Sequence, residues 1–385
     1  MLFRLYKISN PPAPKSGGVD PQERLNFGCL GAARITPGCI VEPARTHPSV
    51  VLYAVAARDA KRAEEFAKEH GFSKSFGGTA AYQDLIDDPE VDVVYNALPN
   101  ALHFEWTMKA LKGGKHVLLE KPATNTAAEA AQIFALAERK NLVVLEAFHS
   151  RFHPAIQRVK AIVDSKELGE IKHVSASLTA PTGTAAPKGD IRWNYELGGG
   201  SAMDPGCYTV NALRYLTSSN PTAVLSAKAV PYSSRPEHKQ VDKILWATLS
   251  FGHDITGDIY TNLDEPKYFG VIPRMPKLFV TVQCEKGTVE LFNYVVPSYY
   301  HYITVSPTGG RRRTEKAYTF KGAEKGEAWW TTYRYQMEAF VDKIQGRTPQ
   351  TWIEPQDTID NMKWIEAIYE KDGFGSLPSS KYIHQ

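Results

Sequence analysis

Apolar runs and charged, alanine-rich stretches alternate through the first 150 residues. The runs occupy Asn26–Gly31, Val50–Ala57, Val91–Leu98, Val117–Leu119 and Leu142–Phe148. Between them, Ala60–His70, Ala80–Ile86, Leu102–Leu111 and Ala127–Arg139 carry helical spacing, and Thr126 with Glu129 forms a capping box before the last. Strands apolar at every position are buried on both faces, and the intervening helices are what cover them. The pattern predicts a doubly wound parallel sheet that binds a nucleotide, over residues 26–150.

Beyond residue 150 the helical signal thins and strands dominate. They are Ile171–Ala180, Val224–Val230, Lys243–Phe251, Ile255–Leu263, Leu278–Cys284, Thr288–Tyr294 and His301–Val305. Several alternate polar with apolar, as an antiparallel sheet with one wet face does. A hairpin turn is expected at Gly252–Asp254. Two helices close the chain near Ala328–Ile344 and Gln356–Tyr369. The fold class is therefore α/β, with an N-terminal parallel sheet and a C-terminal α+β domain built on a large, mainly antiparallel open sheet over 151–385. Residues 1–25 read as an arm with a Pro/Gly-rich spacer. "KILWATLSF" and "KLFVTVQC" would leave apolar side chains bare on the open sheet, which predicts a homodimer through that face.

Composition narrows the function. Hydrophobic residues make up 43% and charged residues 23%, near globular averages, so the chain is not expected to be disordered. A net charge of +3 is too small to point to nucleic acid or a membrane surface. The basic run Arg311–Arg313 reads as a hairpin tip. No segment has the length of a signal peptide core or a membrane span. The four cysteines form no Cys-x-x-Cys pair, which predicts reduced thiols, a cytoplasmic location and no metal site. His149 and His153 have the i, i+4 spacing of a zinc pair, but Pro154 opposes helix at His153 and no third ligand joins them.

The first strand exits at Gly31-Ala32-Ala33-Arg34-Ile35-Thr36. Ala33 and Thr36 stand where a dinucleotide fingerprint has its second and third glycines. The position, at the first strand-to-helix turn, suits a pyrophosphate on backbone N–H groups. The second strand ends at Ala57-Arg58, with Lys61 and Arg62 beyond, where an NAD enzyme would place an acid. A guanidinium there suits the 2′-phosphate of NADP. The third and fourth strands exit at Leu98, Pro99, Asn100 and His103, and at Glu120 and Lys121. In open parallel sheets, ligands bind beyond those ends. Lys121 there can hydrogen-bond a substrate oxygen, with Glu120 balancing its charge.

"GGGSAMDPGCYTVNALRYL" has Gly198–Gly200 as a flexible lead-in, Asp204 as N-cap and Pro205 at the first helical position. Tyr208 falls one turn up on the face of Asp204. By themselves these are a cap and a packed aromatic. Beside a lysine, the tyrosine becomes a candidate acid/base whose phenolate the cation would favour.

Taken together, "GKHVLLEKPATNTAAEA", "GGGSAMDPGCYTVNALRYL", "ALPNALHFEWTMKALKGGKHV" and "RFHP" resemble the Gfo/Idh/MocA family of NAD(P)-dependent oxidoreductases over residues 26–370. The resemblance implies a Rossmann domain, and Lys121, Asp204 and Tyr208 facing nicotinamide and substrate. It implies a cis Pro122 that aims Lys121 into the cleft. The tyrosine, the "AARD" tip and the arm look most like a branch of NADP-dependent D-xylose dehydrogenases, dimeric dihydrodiol dehydrogenases and glucose–fructose oxidoreductase-like enzymes. The expected activity is oxidation of an aldose, of the D-glucose or D-xylose class, to a lactone. Tyr208 would take the anomeric hydroxyl proton, and His149, Arg151, Phe152, Arg192 and Trp193 would help line the sugar pocket. The alternatives are an enzyme that recycles bound NADP between a sugar and fructose, a trans-dihydrodiol dehydrogenase, and a non-catalytic sugar sensor.

Overall fold

The alternating segments of the first 146 residues pair into one parallel sheet. The computed structural model describes residues 2–13, 20, 23–235, 239–322, 325–375 and 377–383, so most of the arm's spacer lies outside the described residues. The strands are β1 Leu25–Leu30, β2 Val50–Ala57, β3 Lys74–Gly77, β4 Val93–Asn96, β5 His116–Leu119 and β6 Val144–Glu146, in the order β3-β2-β1-β4-β5-β6. That order reverses direction between β1 and β4, which opens a crevice at their carboxyl ends. β3 was not expected. It is a short edge strand with three exposed residues in four, too polar to show as an apolar run.

The helices are α1 Leu2–Ser9, α2 Glu42–Arg45, α3 Ala60–His70, α4 Ala81–Asp87, α5 His103–Lys112, α6 Ala127–Arg139, α7 Pro154–Asp164, α8 Cys207–Thr217, α9 Thr332–Ile344 and α10 Pro355–Asp372. Local chemistry sets their ends. Asp59 accepts from the Arg62 N–H at 2.8 Å to open α3, and Gly71 closes it at φ +83. Only half of the capping box forms. Thr126 accepts from the Glu129 N–H, while the Glu129 carboxylate takes the N–H groups of Asn125 and Ser380. Helix α7 lies where the helical signal thins along the sequence. In α7 the buried residues Ala155, Ile156, Val159, Ile162 and Val163 keep helical spacing.

The second sheet comprises β7 Ile171–Pro181, β8 Ala223–Pro231, β9 Asp242–Ser250, β10 Thr256–Glu265, β11 Leu278–Cys284, β12 Gly287–Phe292, β13 Tyr302–Pro307 and β14 Arg313–Glu315. Their order is β14-β13-β12-β11-β7-β10-β9-β8, antiparallel except between β7 and β10. Its inner face buries Leu245, Val280, Leu291 and Ile303, and α7, α8 and α10 pack against the sheet. On the other face, register aligns Trp246, Tyr260, Ser177, Phe279, Phe292 and Tyr302 in one row across six strands.

The two sheets are tied together. Arg334 of α9 donates to Thr46 at 3.1 Å, and Glu338 lies 3.3 Å from His47. The C-terminal segment returns to the first sheet's helices, where the Ser380 N–H meets Glu129 at 2.6 Å and Tyr382 packs on Phe104. The arm helix α1 lies on the second domain. Arg4 donates to the carbonyls of Ser298 and Tyr299 and covers the ring of Tyr318.

Candidate active site

The exit of β5 and the loop before α8 meet at the carboxyl edge of the parallel sheet. The Lys121–Pro122 peptide is cis. Lys121 Nζ lies 2.6 Å from Asp204 Oδ1 and 4.7 Å from the centre of the Tyr208 ring. Arg192 Nε donates to the other oxygen of Asp204 at 2.7 Å, and its Nη1 pairs with Asp190 at 3.0 Å. One carboxylate thus holds two cations, and that drives its pKa well below the usual carboxylate range despite burial.

Asp204 is not an N-cap. It sits in a wide, π-helical turn, Ala202–Gly206, that runs into α8. Pro205 lies inside that turn and has no N–H to give, which suits a wider turn over a regular helical one. The side chain is thereby released from the backbone and reaches Lys121 and Arg192. The three glycines before it are close-packing rather than flexible. Gly198 has φ +72 and accepts from Asn100 at 2.8 Å, and a Cβ there would collide with Asn125. Asp242 fixes the next turn, accepting from the Ala202 N–H at 2.8 Å and the Tyr369 hydroxyl at 2.6 Å.

The phenolate expected of Tyr208 is not supported by its surroundings. Burial disfavours the Lys121 ammonium, but the Asp204 carboxylate outweighs it and holds the pKa above the ordinary lysine value. Tyr208 is 8% exposed, and burial lifts its pKa well above that of a free phenol, so no phenolate is stored there. Glu120 does not neutralise Lys121 by contact. Its carboxylate takes the Tyr95 hydroxyl at 2.7 Å and the Lys121 backbone N–H at 3.3 Å.

Several expected pocket residues are committed elsewhere. Arg151 is 7% exposed, bonds Asn211 and Asp357 at 3.1 and 2.9 Å, and stacks on Tyr215. Phe152 is in the main core. Trp193 is buried against Tyr232, with its indole N–H on the carbonyl of Ala186. His103 is 1% exposed. Its ring nitrogens lie 2.8 and 2.7 Å from the carbonyls of Pro122 and Leu98, so it ties the exits of β4 and β5 together. His149 does reach the site, with Nε2 2.9 Å from the Tyr208 hydroxyl and Nδ1 2.8 Å from Thr332 Oγ1.

Sequence reasoning missed Tyr95, Cys39, Thr332 and Tyr333. Cys39 lies against Tyr95 and Tyr333, and the Tyr333 ring covers His149 at 4.0 Å. Tyr95 is hidden in an apolar strand. Thr332 and Tyr333 come from α9, nearly 200 residues away in the chain, so local spacing carries no trace of them.

The nucleotide turn fits a dinucleotide phosphate. Gly31 has φ +92, which a side chain would resist. Arg34 and Ile35 are exposed, and Thr36 Oγ1 is buried without a hydrogen-bond partner. Arg62 donates to the Ala32 carbonyl at 2.7 Å, and Arg58 stands at the exposed tip of β2 beside Tyr82. The four cysteines are free, and among the described residues no group of three or more His, Cys, Asp or Glu is placed to hold a metal. No described helix is long and apolar enough to cross a membrane.

Comparison with known proteins matches the chain to two family models. Residues 25–148 match the oxidoreductase family model with an NAD-binding Rossmann fold, and residues 156–290 match the GFO/IDH/MocA C-terminal domain. The D-xylose 1-dehydrogenase (NADP(+)) 2 of Haloferax volcanii is 32% identical over 91% of this chain and 98% of its own. A trans-1,2-dihydrobenzene-1,2-diol dehydrogenase of Xenopus tropicalis is 34% identical, over 48% of this chain and 54% of its own. In fold, the chain resembles an aldose-aldose oxidoreductase from Caulobacter crescentus, solved with glycerol, at TM-score 0.76 and 24% identity over 91% and 98% of the two chains. A 3-ketoreductase from Actinomadura kijaniata, solved with NADP and TDP-benzene, gives TM-score 0.75 and 24% identity over 90% and 98%.

Proposed function

Because this chain belongs to the Gfo/Idh/MocA family of oxidoreductases, we propose that it is an NADP-dependent sugar dehydrogenase that oxidises the anomeric carbon of an aldose to a lactone. The observation that carries this is Lys121, held by Asp204 at 2.6 Å with the Tyr208 ring at 4.7 Å, at the carboxyl edge of a dinucleotide-binding sheet. Nicotinamide, when bound there, accepts hydride from the substrate carbon. Tyr208 takes the proton of the anomeric hydroxyl. Lys121 donates a hydrogen bond to that oxygen as charge builds on it. Asp204 holds Lys121 cationic and, with Arg192, fixes where it points. Lys121 and Arg192 are both ion-paired to Asp204, which supports an uncharged sugar over the diphosphate of a nucleotide sugar.

Gly31, Ala33, Arg34 and Ile35 would receive the pyrophosphate, and Arg58 the 2′-phosphate. A panel of aldoses, ketoses and trans-dihydrodiols, followed by NADPH absorbance, tests the reading. An aldose should be oxidised with NADP+ ahead of NAD+, and turnover of diols alone would overturn it. Arg58→Ala should cost NADP+ about tenfold in kcat/KM, as one charge-assisted contact does, and leave NAD+ unchanged. Equal loss with both cofactors would count against the 2′-phosphate role. Helix α1, the described helix of the arm, gives no support to cofactor recycling, since its Arg4 engages Ser298, Tyr299 and Tyr318.

The aromatic row of the second sheet supports a homodimer. Trp246 is 40% exposed, and its neighbours Tyr260, Phe279, Phe292 and Tyr302 are half-buried. An exposed apolar row is costly to leave in water. Sedimentation should give twice the chain mass, and Trp246→Glu should shift it toward the monomer. A wild-type monomer at micromolar concentration would refute the dimer.

A further inference from the structure

The phenol of Tyr208 has no stored charge with which to take a proton. Burial holds it neutral, and the nearby carboxylates and thiols oppose the phenolate. To accept the substrate's proton it must pass on its own. The acceptor the structure gives its hydroxyl is His149 Nε2, at 2.9 Å. That histidine starts the short turn His149–Phe152 after β6 and is 2% exposed. Its other nitrogen meets Thr332 Oγ1 at 2.8 Å. Thr332 opens α9 and is itself fixed, its N–H donating to Ser298 Oγ at 2.8 Å. A neutral imidazole has one donor and one acceptor nitrogen. A phenol is a stronger acid than a neutral imidazole N–H, so the phenol donates. Nε2 therefore accepts, and Nδ1–H donates to Thr332.

We propose that His149 is a positioning residue that completes the base: it fixes the Tyr208 hydroxyl as a donor and takes its proton in the same step in which Tyr208 receives the substrate's. The inference rests on the dehydrogenase reading above. As hydride leaves the substrate carbon for the nicotinamide, the hydroxyl proton moves to Tyr208 Oη. The phenolic proton moves to His149 Nε2, the C–O bond becomes C=O, and the imidazolium later releases one proton to solvent. One hydride and one proton leave the substrate. In this reading His149 acts through Tyr208 rather than on the sugar. Burial, with Lys121 second, pushes its pKa down to about 3, so the proton is not retained between turnovers. The groups facing it are Lys121, Tyr208, Thr332, the Tyr333 ring and, more distantly, His153.

His149→Phe keeps the aromatic packing on Tyr333 and removes Nε2. With the best alcohol of the panel, kcat should fall about 10- to 100-fold, as loss of an acid–base partner does, with KM and NADP+ binding within about threefold. Thr332→Val should lower kcat, and Thr332→Ser should restore it. A raised KM with kcat intact would make His149 a substrate contact and overturn the relay. Unchanged kcat and KM would make it packing alone and overturn it too. A second arm needs no turnover. In the wild-type protein labelled with 15N-histidine, the Nε2 of His149 should show the shift of an unprotonated nitrogen, and Tyr208→Phe should move it. A protonated Nε2 overturns the inference. If the wild type turns over nothing in the panel, the dehydrogenase reading has failed and the relay with it, while the tautomer measurement still judges whether Nε2 accepts from Tyr208.

Discussion

Tyr208→Phe should cut kcat for the sugar by about a hundredfold or more, because it removes the group that receives the proton in the transition state. The fold should survive. The ring packs edge-on to Phe148 at 5.5 Å and lies under the Lys121 ammonium at 4.7 Å, and phenylalanine keeps both contacts. What it leaves behind is an unpaired Nε2 on a fully enclosed His149, at a cost of about 1–3 kcal/mol of stability. The melting temperature should therefore drop modestly while sugar KM stays near wild type. Turnover close to wild type in a well-folded variant would remove Tyr208 from the chemistry and with it the relay to His149.

Lys121→Ala should lose a comparable factor, about a hundredfold or more, by a different physical route. Lys121 does not receive the proton. It supplies a fixed cation next to the oxygen on which charge appears. Its removal leaves Asp204 with Arg192, 2.7 Å away, so the carboxylate remains ionised and the loop around it intact. NADP+ binding should change little, because the groups expected to hold the phosphates sit on other strands. Lys121→Arg should recover little of the loss, since a planar fork cannot take the place of a compact ammonium packed against both Asp204 and a ring. Parallel loss of thermal stability and activity would instead assign Lys121 to the fold, and that outcome would defeat the catalytic role.

Much of this fold is legible in the sequence. Helix α6 runs from Ala127 to Arg139, as its spacing predicts, and α3 likewise runs from Ala60 to His70. β11 also has the expected bounds. These elements are set by side-chain period and by caps within a few residues, which are local properties. The less legible elements have identifiable causes. β3 and β14 are short, polar and at sheet edges, where no face needs to be apolar. Asp204 reads as a cap because Asp-Pro usually opens a helix; in the wide turn around Pro205 the first residue is instead held by Asp242, which accepts from the Ala202 N–H. Arg151 reads as a pocket residue because charge near a domain junction suggests a ligand. Its partners Asn211 and Asp357 lie 60 and 206 residues away.

The sequence by itself determined the alternation that makes a parallel sheet, the glycine at the nucleotide turn, the arginine in place of an acid at the end of β2, and the residue types Lys121, Asp204 and Tyr208. Each of these depends on backbone geometry or on chemistry within one segment. Only the tertiary structure decided the charge states and the hydrogen-bond partners. Burial raises the phenol of Tyr208, the pairing of Asp204 keeps Lys121 cationic, and His149 finds Tyr208 on one side and Thr332 on the other. Those are sums over neighbours brought from distant parts of the chain into a water-poor space, and a linear sequence does not record which neighbours they are.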